Sequence, residues 1–295
     1  MSLQSLVKPP LVMGIVNVTP DSFSDGGRHD THEAALAHAL RLIEQGADVL
    51  DIGGESTRPG SEPVAEDEEI ARTLPLIAAI RARWDGPISI DTMKPGVARA
   101  AVRAGATMWN DVTALSHHPD SLATAAELGC EVVLMHMKGE PKTMQDDPRY
   151  DDVVAEVAAH LAARAEAAMK AGVARDKIWL DPGIGFAKTT AHNLTLTARL
   201  EALVELGFPV LYAASRKRTI QGVDETAVAA TDRLGGSLAL ALEGARRGAK
   251  MVRVHDVRET VQALKVQAAV TARAKSVQMR SHLNPDLRSS INPGA

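Results

Sequence analysis

Cysteine is nearly missing from this chain. Cys130 is the only one among 295 residues, so no disulfide can form within it and a reducing, cytoplasmic setting is expected. Aromatic residues are also scarce, at 3% against 45% apolar residues overall. Ala, Val, Leu and Ile must therefore fill the core, which suits helices laid on parallel strands. No stretch has the roughly 18 uninterrupted apolar residues of a membrane span, and Met1–Pro10 lacks the apolar centre of a secretion signal. Basic charge is not in surplus either. A net charge of −4 argues against the basic face that broad nucleic-acid binding needs.

What is present is one alternating unit, repeated. Short apolar runs are expected as strands at Val12–Asn17, Val49–Ile52, Ile88–Asp91, Met108–Asn110, Glu131–His136, Ile178–Asp181, Val210–Ala213 and Met251–Val254. Helical spacing follows them, as at Glu33–Gln45, Glu66–Arg83, Val153–Lys170 and Arg233–Arg247. Gly46, Gly105, Gly129, Gly172, Gly207 and Gly248 stand where helix C-terminal caps belong. "EQGADVL", "RAGATMW", "ELGCEVV" and "RRGAKMV" repeat one helix–Gly–strand junction. Such alternation implies parallel strands joined by right-handed crossovers. A single-domain (β/α)8 barrel over residues 1–275 is expected, with an open doubly wound sheet as the alternative. Residues 276–295, ending "NPDLRSSINPGA", read as a frayed tail.

Polar residues gather at one end of these strands, where barrels of this kind place their active sites. In order they are Asn17, "DIGGESTRPG" from Asp51 to Gly60, Asp91, Asn110, "MHM" at Met135–Met137, Asp181, "SRK" at Ser215–Lys217, and "RVHD" at Arg253–Asp256. Any single Asp or Asn here has an ordinary explanation as a helix cap or turn former. For Asp51, Asp111 and Asp256 that explanation stands level with the functional one. The recurrence on nearly every strand favours a common site.

The charges divide into two expected sets. Arg253 and His255 are two apart on a strand and so share a side; with Asn17 from the first strand they make an anion site. Asp91, Asn110, Asp181 and Lys217 line the mouth and can grip the edge of a flat heterocycle with both donors and acceptors. The competing reading is structural: Arg253 in a salt bridge, His255 a rim histidine, and the mouth filled by an ion-pair network. "DPGIGFAK", Asp181–Lys188, lacks the spacing of a phosphate loop. Its Phe186 reads as a stacking lid or as an apolar anchor for the loop. The stretch after the first strand, "NVTPDSFSDGG", is longer than the roughly two to six residues a strand-to-helix connection needs.

"MGIVNVTPDSFSDGG", "DIGGESTRPG", "ISIDT", "NDV", "LMHM", "DPGIGFAK", "SRK" and "RVHDV" together resemble the dihydropteroate synthase family, in order along about nine tenths of the chain. The resemblance implies a barrel transferase in folate synthesis and a sulfonamide target. It would join 6-hydroxymethyl-7,8-dihydropterin diphosphate to p-aminobenzoate, with Mg2+ assisting release of pyrophosphate. By the same resemblance Asp91, Asn110, Met135, Asp181 and Lys217 bind pterin, while Asn17, Thr57, Arg253 and His255 bind the diphosphate. Asn17 stands at the metal. Thr57, Arg58, Pro59, Phe186, Ser215 and Arg218 are implied for p-aminobenzoate, and Asp91, Lys217, Arg253 and His255 for catalysis. The long first loop and the loop carrying Thr57–Gly60 would close over the pterin. A homodimer through the outer helices, with Leu234–Ala245 as its seam, is expected. Arg218 and Gln221 depart from the family's pattern after "SRK".

Three other readings compete. A pterin-dependent methyltransferase should lack the "TPDSFSDGG" loop. A lyase would use Lys217, flanked by Arg216 and Arg218, as a Schiff-base former. A degenerate barrel that binds without turnover would require a missing rim residue.

Overall fold

The structure, a computed structural model, describes residues 8–18, 28–56, 62–139 and 148–283. Eight parallel strands make the barrel: β1 Leu11–Asn17, β2 Val49–Gly53, β3 Ile88–Asp91, β4 Met108–Asp111, β5 Glu131–Met135, β6 Ile178–Asp181, β7 Leu211–Tyr212 and β8 Met251–Val254. The helices over the first five strands are α1 Arg28–Glu44, α2 Glu66–Arg81, α3 Pro95–Arg103, α4 Ser121–Leu128 and α5 Val153–Ala171. After β6 come α6 Thr190–Ala198, α7 Glu201–Val204, α8 Arg218–Gln221, α9 Leu234–Arg246 and α10 Val257–Leu283.

Local chemistry sets the element ends. Asp152 caps α5 by accepting the Val154 and Ala155 N–H groups, at 2.9 and 3.0 Å. The six glycines expected as helix caps all adopt positive φ, from 60° to 114°, which glycine tolerates without steric cost. The expected strands agree with the observed ones to within a residue or so. At its C-terminal end α10 continues past Ser276 to Leu283. The rest of the expected tail lies outside the described residues.

The sheet runs β6-β5-β4-β3-β2-β1-β8-β7. Its seam is β6 against β7, joined by the single bridge Leu180–Val210 and a 3.0 Å hydrogen bond from Leu180 N to Pro209 O. β7 is one residue shorter at each end than expected, and the Val210 carbonyl beside it accepts from the Lys250 and Met251 N–H groups.

Two apolar layers hold the fold. Outward-facing strand residues such as Leu50, Ile52, Ile88, Ile90 and Leu134 pack beneath the helices. Inside the barrel, Met13, Val49, Met108, Val133, Trp179, Leu211 and Met251 form a separate floor. The residues two positions further along each strand face the same way, and that layer is the polar one.

Candidate active site

Above the floor, strand parity selects Asp51 and Gly53 over Val49, Asn110 over Met108, Met135 over Val133, Asp181 over Trp179 and Arg253 over Met251. Register aligns Asn17, Gly53, Asp91 and Asn110 as direct neighbours on β1 to β4. The strand-end polar residues therefore converge because an alternating pattern, buried on one face, is carried one layer further than the apolar core.

One buried network ties them together. Arg253 Nε donates to Asp51 Oδ2 at 2.5 Å, and Arg253 Nη2 to Asp91 Oδ2 at 2.7 Å. Asn110 Nδ2 donates to the same Asp51 oxygen at 3.2 Å. The Oδ1 atoms of Asp51 and Asp91 are buried without a hydrogen-bond partner among the described residues. Burial pushes Asp91 up to about 7, against the pull of Arg253 and with the push of Asp51, Glu69 and Asp111. Burial also acts on Arg253, but Asp51 and Asp91 overcome it and hold the guanidinium above its ordinary range. The two charge sets expected to be separate are therefore one, because the Arg253 fork reaches both carboxylates. The salt-bridge reading of Arg253 is correct as geometry.

His255 stands beside this network. Burial, then the positive charge of Arg253 and Arg216, depresses it to about 3, so it is neutral at pH 7. Ser215 Oγ accepts from the His255 N–H at 3.2 Å and lies 3.0 Å from His255 Nδ1. With the Ser215 hydroxyl donating to an unprotonated Nδ1, the hydrogen of the neutral ring is on Nε2, which can donate to an anion. Between Ser215 and Lys217, Arg216 holds a left-handed φ of 58°. Ser237 Oγ accepts its N–H at 2.9 Å, Arg233 Nη1 donates to its carbonyl at 3.0 Å, and Asp256 binds its guanidinium. This clamp turns Ser215 to His255 and Lys217 to the mouth.

The β6–α6 loop carries the rest. Asp181 is 3% exposed, so it is not on an open rim. Its Oδ1 accepts the Gly183 N–H at 2.7 Å. Burial pushes it up to about 6, while that N–H, Lys217, Arg253 and Lys188 pull it down. Gly185, at φ 80°, leaves room for Lys217, whose Cδ would lie 3.2 Å from an added Cβ. Lys217 Nζ sits 4.2 Å from the centre of the Phe186 ring. Phe186 is 8% exposed and packs with Val112, Met135, Met137 and Ala187. This packing is what the anchor reading expects.

Asp111 and Asp256 follow their ordinary explanations. Asp111 makes a turn through Thr113 and Leu115, and Asp256 pairs with Arg216. Arg218 is exposed at the start of α8, and Gln221 accepts from Arg233. The long first loop, Thr19–Gly27, and Thr57, Arg58, Pro59 and Gly60 lie outside the described residues. Asp51, for which the ordinary and the functional readings stood level, belongs to the site's network. Its signal was a charge inside an otherwise apolar strand, which burial obliges to find partners.

The chain matches the family described as pterin binding enzyme over residues 13–255. It is 48% identical over 260 residues to a dihydropteroate synthase of Escherichia coli (strain K12), covering 88% of this chain and 91% of that one. A dihydropteroate synthase of Xanthomonas albilineans, solved with 4-aminobenzoic acid, superposes at a TM-score of 0.85 and 54% identity, covering 90% of this chain and 94% of its own. A complex of that species' enzyme with 7,8-dihydropteroate superposes at 0.81 and 50% identity, covering 92% and 96%.

Proposed function

This chain belongs to the pterin binding enzymes, among the dihydropteroate synthases, and from that membership we propose how its rim performs the reaction. The transferase condenses 6-hydroxymethyl-7,8-dihydropterin diphosphate with p-aminobenzoate to 7,8-dihydropteroate and pyrophosphate. A bond forms between the pterin methylene carbon and the arylamine nitrogen. The bond from that carbon to the diphosphate oxygen breaks, and the arylamine gives up one proton. The observation that carries the assignment of roles is the Asp51–Arg253–Asp91 network, set level with Asn110 and facing Asp181 and Lys217 over an apolar floor.

Asp181, as a carboxylate, takes the adjacent N–H and amino group of the pterin edge in bidentate fashion. Asn110 and Lys217 meet the other edge groups, and Met135 forms an apolar wall. Two of the five N–H donors of Arg253 are spent on carboxylates, and the guanidinium keeps others for the diphosphate. His255 adds a neutral donor. As the diphosphate departs, positive charge develops on the methylene, and Asp91 stabilises it. The arylamine of p-aminobenzoate is neutral near pH 7, so no strong base is required. Ser215 and Phe186 border the space for it, with Thr57, Arg58, Pro59 and Arg218 as further groups of this reading.

The residues fit Mg2+. Asn17 Oδ1 and the Asp91 side chain flank Gly53, which brings no side chain between them, and Asp91 Oδ1 is a buried oxygen in need of a partner. No cluster of three or more His, Cys, Asp or Glu suited to a metal exists among the described residues, as suits an ion that keeps water and substrate phosphate as most of its ligands. Asn17 would hold it, assisted by Asp91. When bound it supplies charge neutralisation to the leaving pyrophosphate.

The same reading includes a homodimer through the outer helices, with α9 at the seam, and work in the cytoplasm. In its support, Cys130 is free and buried, and no helix among the described residues is long and apolar enough to cross a membrane. The deciding assay is pyrophosphate release. It should require both the pterin diphosphate and p-aminobenzoate and rise with Mg2+. Release without p-aminobenzoate would make the protein a hydrolase instead. Light scattering tests the dimer.

A further inference from the structure

Lys188 closes the "DPGIGFAK" stretch and has no part in the chemistry above, yet it is 3% exposed. An ammonium has three N–H donors, and this one finds three acceptors: Phe186 O at 2.9 Å, His136 O at 3.2 Å and His136 Nδ1 at 2.9 Å. None of them is a carboxylate. A buried cation held only by neutral groups is costly. Burial accordingly lowers its pKa to about 7, with Asp181 opposing and Lys217 and Lys138 adding to the fall.

Its partners are the backbone that carries Asp181. The His136 N–H donates to the Asp181 carbonyl at 3.0 Å. Gly183, at φ 68°, presses so closely that an added Cβ would lie 2.0 Å from His136 O and 3.3 Å from Lys188 Nζ. Tyr150 donates to Ala187 O at 3.0 Å on the far side. The titratable groups around the ammonium are His136 and His160, edge to face at 4.9 Å, Tyr150 with Lys138 over its ring, His192 against Tyr150, and Asp181 and Lys217. His136 and His160 are held neutral, chiefly by burial. Of these groups Asp181 alone is an anion, and the cations facing it are Lys217, Arg253 and Lys188.

We propose that Lys188 is a positioning residue of the pterin site. From beneath the β6–α6 loop it fastens that loop to the tip of β5, and its charge keeps the Asp181 carboxyl ionised for the ligand. The inference rests on Asp181 being the group that takes the pterin edge.

The test is a carbon-13 titration of aspartate carboxyls in the full chain, with the Asp181 signal identified by its loss in Asp181→Asn. In Lys188→Met the Asp181 midpoint should rise by about half a pH unit, and binding of 6-hydroxymethyl-7,8-dihydropterin at pH 6 should weaken ~2-fold. His136→Leu, which removes an acceptor but keeps Lys188, should move the midpoint in the same direction. His136→Asn, whose amide oxygen replaces Nδ1, should leave it in place. If Lys188→Met does not fold, the two His136 variants decide. An unmoved midpoint in Lys188→Met, or equal midpoints in the two His136 variants, overturns the inference. A midpoint that moves in a protein taking up no pterin overturns instead the function given to Asp181.

Discussion

Arg253 Nη2 and Asp91 Oδ2, 162 residues apart in the chain, are 2.7 Å apart at the barrel mouth. The pair joins a group assigned to the diphosphate with one assigned to the pterin. On the proposed roles, one guanidinium links the pterin end of the substrate to its diphosphate end.

Asp51 should be as consequential as Asp91. Asp51→Asn leaves Arg253 a single anionic partner and places an amide where a shared acceptor stood. Breaking a buried pair costs about 3–5 kcal/mol, and the remaining bond to Asp91 should reduce this to roughly 2–3 kcal/mol. Urea unfolding checks the figure. A loss under about half a kcal/mol would mean that Asp51 is solvated in the folded protein.

Arg253→Ala should weaken the diphosphorylated pterin and pyrophosphate more than unphosphorylated hydroxymethyl-pterin. The unphosphorylated ligand should also lose some affinity, because Asp51 and Asp91 are left as adjacent like charges. Calorimetry with the two pterins separates the effects. Equal losses would reduce Arg253 to a structural tie.

Asp181→Asn sets an amide donor against the ligand's own N–H. Pterin binding should fall by on the order of 2–4 kcal/mol. The amide oxygen can still accept from Gly183 N–H, so the fold should survive. Unchanged affinity would remove Asp181 from the pterin site.

Acid stability should carry the mark of His136. Burial lowers its pKa from 6.5 to about 2, so the unfolded chain binds a proton that the folded one refuses. Its contribution is complete above pH 6.5 and is lost as pH falls toward 2, costing about 1.4 kcal/mol at pH 5.5. Asp91, Asp111 and Asp181, with raised pKa values, work in the opposite sense between about pH 7 and 4. Comparing wild type with His136→Asn cancels them. The variant's urea midpoint should fall less between pH 7.5 and 5.5 than that of the wild type.

The barrel was legible because its periodicities are local: apolar runs of strand length, helical spacing, and a glycine at each junction. The strand-tip residues Asn17, Asp91, Asn110 and Asp181 were legible for the same reason, since parity and position place them without knowledge of any partner. Partnership was not legible. Which carboxylates Arg253 would hold depends on β8 lying beside β1 and within reach of β2 and β3, a matter of barrel curvature. For Asp51 the two readings stood level because "DIGG" precedes a loop, although its parity with Val49 aims it inward. Phe186 was ambiguous for a similar reason. An aromatic beside glycines can cover a ligand or anchor a loop, and its packing with Met135 and Val112 comes from the fold rather than from its sequence neighbours.

The seam between β6 and β7 has a consequence for how the empty and occupied proteins breathe. Leu180–Val210 is its single bridge, so the staves of the cylinder are least well hooped there. Asp181 ends β6 on one bank and Lys217 follows β7 on the other. A flat ligand gripped by both is a rivet across the gap. Amide hydrogens of Leu180 and Met251, which face the Pro209 and Val210 carbonyls beside the seam, should exchange with solvent more slowly once a pterin is seated, while those between β2 and β3 should hardly change.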